Sequence, residues 1–244
     1  MGQALLWGTL AASSLLVGAV LGVIRAWPQR LIGVVLAFGA GALISSVAFE
    51  LAEEGLASGG PVPVAIGIAL GAIAFTAGNA GVQRLGARRH RGRSGPHDED
   101  EGGGPALAFG AFLDGIPEQA VLGIGLASGG GVSVALLVAV WISNLPEAIG
   151  SAADMRRDGS TRRSVLLLWT GVATVCALAT LGGFALVDLT AGSVAGAISG
   201  FAAGALLVML VDEMVPEAQH KTGPLAGLAT VVGFALAAGL SKLT

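Results

Sequence analysis

Residues 40–55 read AGALISSVAFELAEEG, and residues 203–218 read AGALLVMLVDEMVPEA. Both begin on the same four residues, and Glu50 and Glu54 of the first stand opposite Glu213 and Glu217 of the second. Chance similarity between Ala/Gly-rich helices would not be expected to align two glutamates. Each copy lies in an apolar run long enough to cross a bilayer, which takes about 20 residues. The whole chain has the same character: 244 residues, 54% hydrophobic and 12% charged, with a mean hydropathy of +0.80. That excludes a disordered chain and is too apolar for an ordinary soluble domain. Forty glycines without a collagen period suit membrane helices, where small residues let backbones approach closely.

Working outward, apolar runs fall at about 4–24, 31–53, 62–82, 105–127, 131–153, 164–187, 192–217 and 223–243. They predict an all-α membrane protein of eight transmembrane helices, with residues 1–244 forming one transporter domain and no separate soluble domain. The first run lacks a basic leader, so it reads as a span rather than a cleaved signal peptide, and Met1–Leu6 lacks the Ser or Thr of a myristoylation site. Charge tests the count. Twelve of the 13 basic residues fall in the first, third, fifth and seventh loops, and the other, Lys242, is near the C-terminus. By the positive-inside rule those loops are cytoplasmic and both termini are outside. The two AGAL copies then lie in spans two and seven, which run in opposite directions, as in an inverted repeat of the transporter kind. Spans four and five also match, Asp114-Gly115-Ile116-Pro117-Glu118 against Ser143-Asn144-Leu145-Pro146-Glu147. The expected layout is three spans, a central pair and three inverted spans. Residues 83–104 pass from basic to acidic to glycine-rich and read as a flexible cytoplasmic linker, with His90 and His97 solvated. A net charge of −3 argues against nucleic-acid binding, and the lone Cys176 excludes an intramolecular disulfide.

Six acids lie in or near the predicted hydrocarbon: Glu50, Asp114, Glu118, Glu147, Asp212 and Glu213, with no Lys or Arg at comparable depth. Each buried charge costs at least about 2.5 kcal/mol. Acids without basic partners are protonated, face water or bind a cation, and all three describe a cation pathway. Snorkelling from helix ends suits Glu53, Glu54, Asp154 and Glu217, and competes evenly for Asp212. It fits poorly for Glu118 and Glu147, which lie nine and six residues inside their nearer span ends. Asp114 and Glu118 are four apart and share a helix face, while Ser143 and Asn144 stand four and three residues before Glu147. Pro117 and Pro146 each remove a backbone hydrogen bond, to the carbonyls of Leu113 and Ile142, and are expected to bend their helices beside a cavity. Carboxylates, an amide, a hydroxyl and spare carbonyls form an oxygen donor set suited to divalent cations, the harder ones above all.

At these residues the chain resembles the ZIP (Zrt/Irt-like) family of divalent metal transporters, and the resemblance runs over nearly its whole length. The stretch Asp212-Glu213-Met214-Val215-Pro216-Glu217 is also similar. The resemblance implies a 3+2+3 helix bundle, often a homodimer, with a metal site, often binuclear, between spans four and five. It implies alternating access that brings a divalent metal ion into the cytoplasm. Carried over by position, Glu118 and Glu147 match the metal-bridging glutamates and Asn144 matches a fifth-span ligand. Asp114 stands where the family usually has histidine, Gly115 where it has asparagine, and Ser143 where histidine or another polar ligand is common. Gln119 and Ala148 replace glycines. Glu50, Asp212 and Glu213 are further candidates for the pathway or a second site. All three histidines (His90, His97, His220) lie in loops or at a span end, so the donor set is oxygen alone. Manganese, iron(II) or magnesium thereby become more plausible than in a family member with histidines, alongside zinc. The metal is substrate, and no cofactor is implied. The expected partners are the ion, the bilayer and a second copy of the chain, in an inner (plasma) membrane of bacterial type.

Rival readings are weaker. Glu53-Glu54 resembles the paired glutamates of some membrane proteases, but position 58 is Ser58 rather than Arg, and no transmembrane histidine can activate a serine. An enzyme is not expected. A non-transporting metal sensor or scaffold would retain the acids. A proton-coupled carrier of an organic cation would use the same acids for protons, but the absence of Tyr and the 5% aromatic content disfavour it. The GxxxG spacings at Gly18/Gly22, Gly67/Gly71 and Gly196/Gly200/Gly204 read as packing within one bundle. Trp27 and Trp169 read as interfacial anchors, and Trp141 and Cys176 as core.

Overall fold

Polar side chains point inward in this protein and large apolar ones outward, the reverse of a soluble domain. Val62, Ile66, Leu70 and Ile73 form an exposed stripe along one helix, while Glu118, Gln119, Ser143 and Asn144 are buried. The computed structural model describes residues 1–90, 104–127, 133–188, 190 and 192–241, and of residues 82–90 and 104–114 the backbone alone. Among the described residues there are eight helical rods and no strand. They are α1 (Gly2–Ile24), α2 (Gln29–Gly59), α3 (Pro61–His90), α4 (Gly104–Ala127), α5 (Val134–Arg157), α6 (Arg162–Asp188), α7 (Ser193–Thr222) and α8 (Leu225–Ser241). Stretches in α1, α2, α3, α5, α6 and α7 are long and apolar enough to cross a bilayer; α4 matches them with 24 residues, and α8 is a shorter apolar helix. The chain is an all-α membrane protein.

Helix pairing follows the repeat. α2 packs along α8 as α7 packs along α3, α1 lies on α5 as α6 lies on α4, and α2 meets α5 as α7 meets α4. The pairs α1/α6, α2/α7 and α4/α5 are also in contact. Exchanging α1–α3 for α6–α8, and α4 for α5, maps these pairs onto themselves, as an inverted repeat requires. Glycines carry the equivalence to single residues. A Cβ at Gly41 would collide with the Thr230 carbonyl of α8, and one at Gly204, its counterpart, with the Ile68 carbonyl of α3. Gly18 and Gly22 likewise press α1 on α5, and Gly196 and Gly200 press α7 on α2 and α3. The GxxxG spacings therefore pack helices within the chain.

Both long helices widen at the same place. α2 has a π-helical segment at Val47–Ala52 and α7 has one at Leu210–Met214, and their first residues stand opposite each other in the aligned repeats. In α7 the cause is local, because Pro216 has no N–H to offer the carbonyl of Asp212. In α2 the aligned position is Glu53, and the wide turn lies in contact with α7. Such segments recur at functional sites.

Several expectations are corrected. The run read as a linker from residue 83 is helical to His90, because a polar, basic sequence ends an apolar run without breaking a helix; residues 91–103, with His97, lie outside the described residues. α2 and α7 similarly continue past the predicted span ends, to Gly59 and Thr222. Trp169 is not an interfacial anchor: it is fully buried, packed with Leu15, Met155 and Cys176 where α1, α5 and α6 meet. Trp141 joins α5 to α1, its Nε1 donating to Ser13 Oγ at 3.3 Å. α4 and α5 each run as one helix through their prolines.

Candidate metal site

α4 and α5 lie against each other with α1 and α6 on one flank and α2 and α7 on the other. Side chains on their shared face are thus removed from lipid. Glu118 of α4 is 1% exposed. Its carboxylate accepts from Ser143 Oγ at 3.0 and 3.1 Å and from Asn144 Nδ2 at 2.5 Å. The second N–H of Asn144 donates to the Val140 carbonyl of its own helix at 2.9 Å, and Ser143 Oγ lies 2.9 Å from the same carbonyl, its one proton shared between that oxygen and Glu118. The i, i+3 and i, i+4 spacing from Val140 places the two donors side by side over Glu118.

Glu118 is thus held by neutral donors, with no Lys or Arg among its hydrogen-bond partners. Asn144 turns its amide NH2 to the carboxylate and leaves Oδ1 buried without a donor. A buried acceptor without a donor is costly unless a cation or water meets it. Glu147 lies three residues on from Asn144, partly buried, in the electrostatic field of Glu118, Glu213, Glu217 and Lys221. Glu147 therefore lies within the field of three other carboxylates and one ammonium, of which Glu217 is 41% exposed.

The other candidates fall in distinct places. Asp114 is one turn before Glu118 on α4, and its side chain lies outside the described residues. Glu213, in the wide turn of α7, accepts from Asn79 Nδ2 of α3. Glu50, in the wide turn of α2, is bordered by Ser46 and Ser133, and both its carboxylate oxygens are buried without a hydrogen bond. Asp212 points outward, exposed on the surface of α7 and apart from Glu118. Of the helix-end acids, Asp154 pairs with Arg157 at 2.9 Å and Glu217 with Lys221 at 2.5 Å. Among the described residues no three Asp, Glu, His or Cys side chains are gathered as a metal cluster; the donors around Glu118 are hydroxyl and amide.

Two residues of α4 beside Glu118, Gly115 and Gln119, are set by contacts with α6. A Cβ at Gly115 would lie 2.8 Å from Cys176 Sγ, so the sulfur of α6 holds the space an asparagine would need. Gln119 is fully buried and ties α4 to α6, its Oε1 accepting from Thr180 Oγ1 at 2.8 Å. Reading the sequence missed Asn79, Ser46 and Lys221 as neighbours of the acids. Asn79, a polar residue in an apolar span, and Ser46, four before Glu50, were the available signals.

No family model matches the chain. The chain is 26% identical over 128 residues to the zinc transporter SLC39A7 of Canis lupus familiaris. That match covers 50% of this chain and 26% of the relative, so the similar part spans about a quarter of the relative's length.

Proposed function

We propose that the chain is a ZIP-like importer of a divalent metal ion, with eight spans, both termini outside and a site between α4 and α5. The observation that carries this reading is the Glu118 carboxylate, buried among neutral donors beside an Asn144 carbonyl oxygen that lacks a partner. An anion in that setting gains most from a cation. Glu118, Glu147 and the Asn144 oxygen would hold the ion, with Ser143 and Asp114 as further ligands. The similarity to a zinc transporter supports metal transport in general. The ion is zinc, manganese, iron(II) or similar, and the oxygen-only donor set makes the harder ions more plausible here than at a site with histidines. Glu50 from α2 and Glu213 from α7 would line the outer and inner approaches. A bacterial inner membrane and a homodimer belong to the same reading.

The test is uptake of Zn, Mn, Fe(II), Cd, Co and Mg into proteoliposomes, beside Glu118→Ala and Glu147→Ala. Flux reduced at least about a hundredfold by either substitution is expected, the scale of losing a ligand with its orienting partners. Preference for harder ions would support the oxygen donor set. A folded protein without flux for any of these metals would sink the importer and point to sensing or scaffolding.

A further inference from the structure

Lys221 ends α7, yet its side chain is only 19% exposed. It folds back one turn, placing Nζ 2.5 Å from Glu217 Oε1. It also reaches across to α5, where a Cβ at Gly150 would meet Lys221 Nζ at 3.9 Å and nothing else within 4 Å. Gly150 is three residues beyond Glu147, whose carboxylate lies in the field of this ammonium. On its other side the Lys221 stem rests on α2, its Cβ against Gly33. The ammonium therefore sits where α2, α5 and α7 meet, at the inner end of the carboxylate site. The aligned position in α2 is Ser58, exposed, its hydroxyl donating to the Glu54 carbonyl at 3.0 Å.

We propose that Lys221 is a tethered counter-cation for Glu147 and Glu217, which a metal ion must displace to occupy the inner end of the site. This rests on the metal-transport reading above and adds a residue that sets affinity and release. Gly150 leaves room for the ammonium, and a longer side chain there would expel it. A competing unit charge within a few ångströms raises the energy of a bound dication, so the ion leaves more readily toward that end. The opposite mouth, with Ser58, has no such competitor at the aligned position. The asymmetry makes the two half-pathways unequal in affinity, with weaker binding at the Lys221 end.

Equilibrium Mn2+ binding to the purified full-length chain, followed by electron paramagnetic resonance, tests this. Lys221→Met keeps the apolar stem and removes the charge, and is expected to tighten Mn2+ binding about tenfold. Lys221→Arg should stay close to wild type. Lys221→Cys should also bind more tightly, and treatment with 2-aminoethyl methanethiosulfonate, which restores an amine, should return it toward wild type. The native Cys176 is fully buried and does not compete for the reagent. Wild-type binding with no tightening in either Lys221→Met or Lys221→Cys would overturn the proposal while sparing the metal site. No Mn2+ binding by wild type would remove the metal site and this inference together.

Discussion

In α2 the carboxylates of Glu50 and Glu54 are followed one turn later by Ser58, whereas in α7 those of Glu213 and Glu217 are followed by Lys221. The backbones of the two helices are alike: each carries AGAL in its middle, packs the glycine of that stretch on a neighbouring carbonyl and widens into a π segment at its first glutamate. Their polar contacts are not alike. Glu213 is hydrogen-bonded by Asn79 across to α3, whereas the Glu50 oxygens are buried among serines without a hydrogen bond. Packing holds the backbone pattern because glycine against a carbonyl has no substitute. Charge is free to diverge, because a side chain can change without moving a helix.

The largest expected effect tests the shared part. Gly41→Leu and Gly204→Leu each drive a side chain into a backbone carbonyl that cannot retreat, at or beyond the upper end of the ~1–3 kcal/mol overpacking range. Both should lose most of their folded population in a thermal scan monitored by size-exclusion chromatography. A loss confined to one of them would break the equivalence of the two halves.

The divergent part should respond in opposite directions. Asn79→Ala removes the donor to Glu213 and should cost about 1.5–3 kcal/mol of stability, the range for a hydrogen bond to a charged group. Glu50→Gln removes a buried carboxylate without a hydrogen bond and should raise stability by about 1–2 kcal/mol, at the expense of uptake at low metal concentration. Thermal melting of the two variants beside wild type decides this, and a destabilised Glu50→Gln would mean that Glu50 is already satisfied in the fold.

On the proposed transport reading, the smallest effect is expected from copying the Lys221 end of α7 onto the aligned end of α2. Ser58→Lys adds an exposed cation beside Glu54, where an ion pair is weak and screened. Uptake should fall by less than about fivefold, through KM rather than kcat. A larger loss would mean that the outer approach is as narrow as the inner one.

Much of this protein is legible in the residue string because a bilayer imposes a one-dimensional rule. A crossing helix needs a long apolar run, so helices α1 to α8 could be placed from hydropathy, and the inverted repeat could be read from two glutamates spaced alike in both copies. The pairing of Glu118 with Ser143 and Asn144 was foreshadowed by matching motifs, since i, i+3 and i, i+4 spacing puts side chains on one face. Helix ends were less legible, because α3 and α7 continue through polar residues that an apolarity rule discards. Trp169 misled for a related reason: its place near a span end resembled an anchor, and only its neighbours on α1 and α5 bury it.

Residue order thus set the helices, their alternating directions, the inward-facing acids and the oxygen character of the side chains around Glu118, all properties of composition and spacing along one rod. The π segments, the lone Asn144 oxygen, the outward face of Asp212 and the reach of Lys221 to Gly150 came from three-dimensional packing. Each depends on how one helix is rotated against the next, and no spacing along a single rod specifies that rotation.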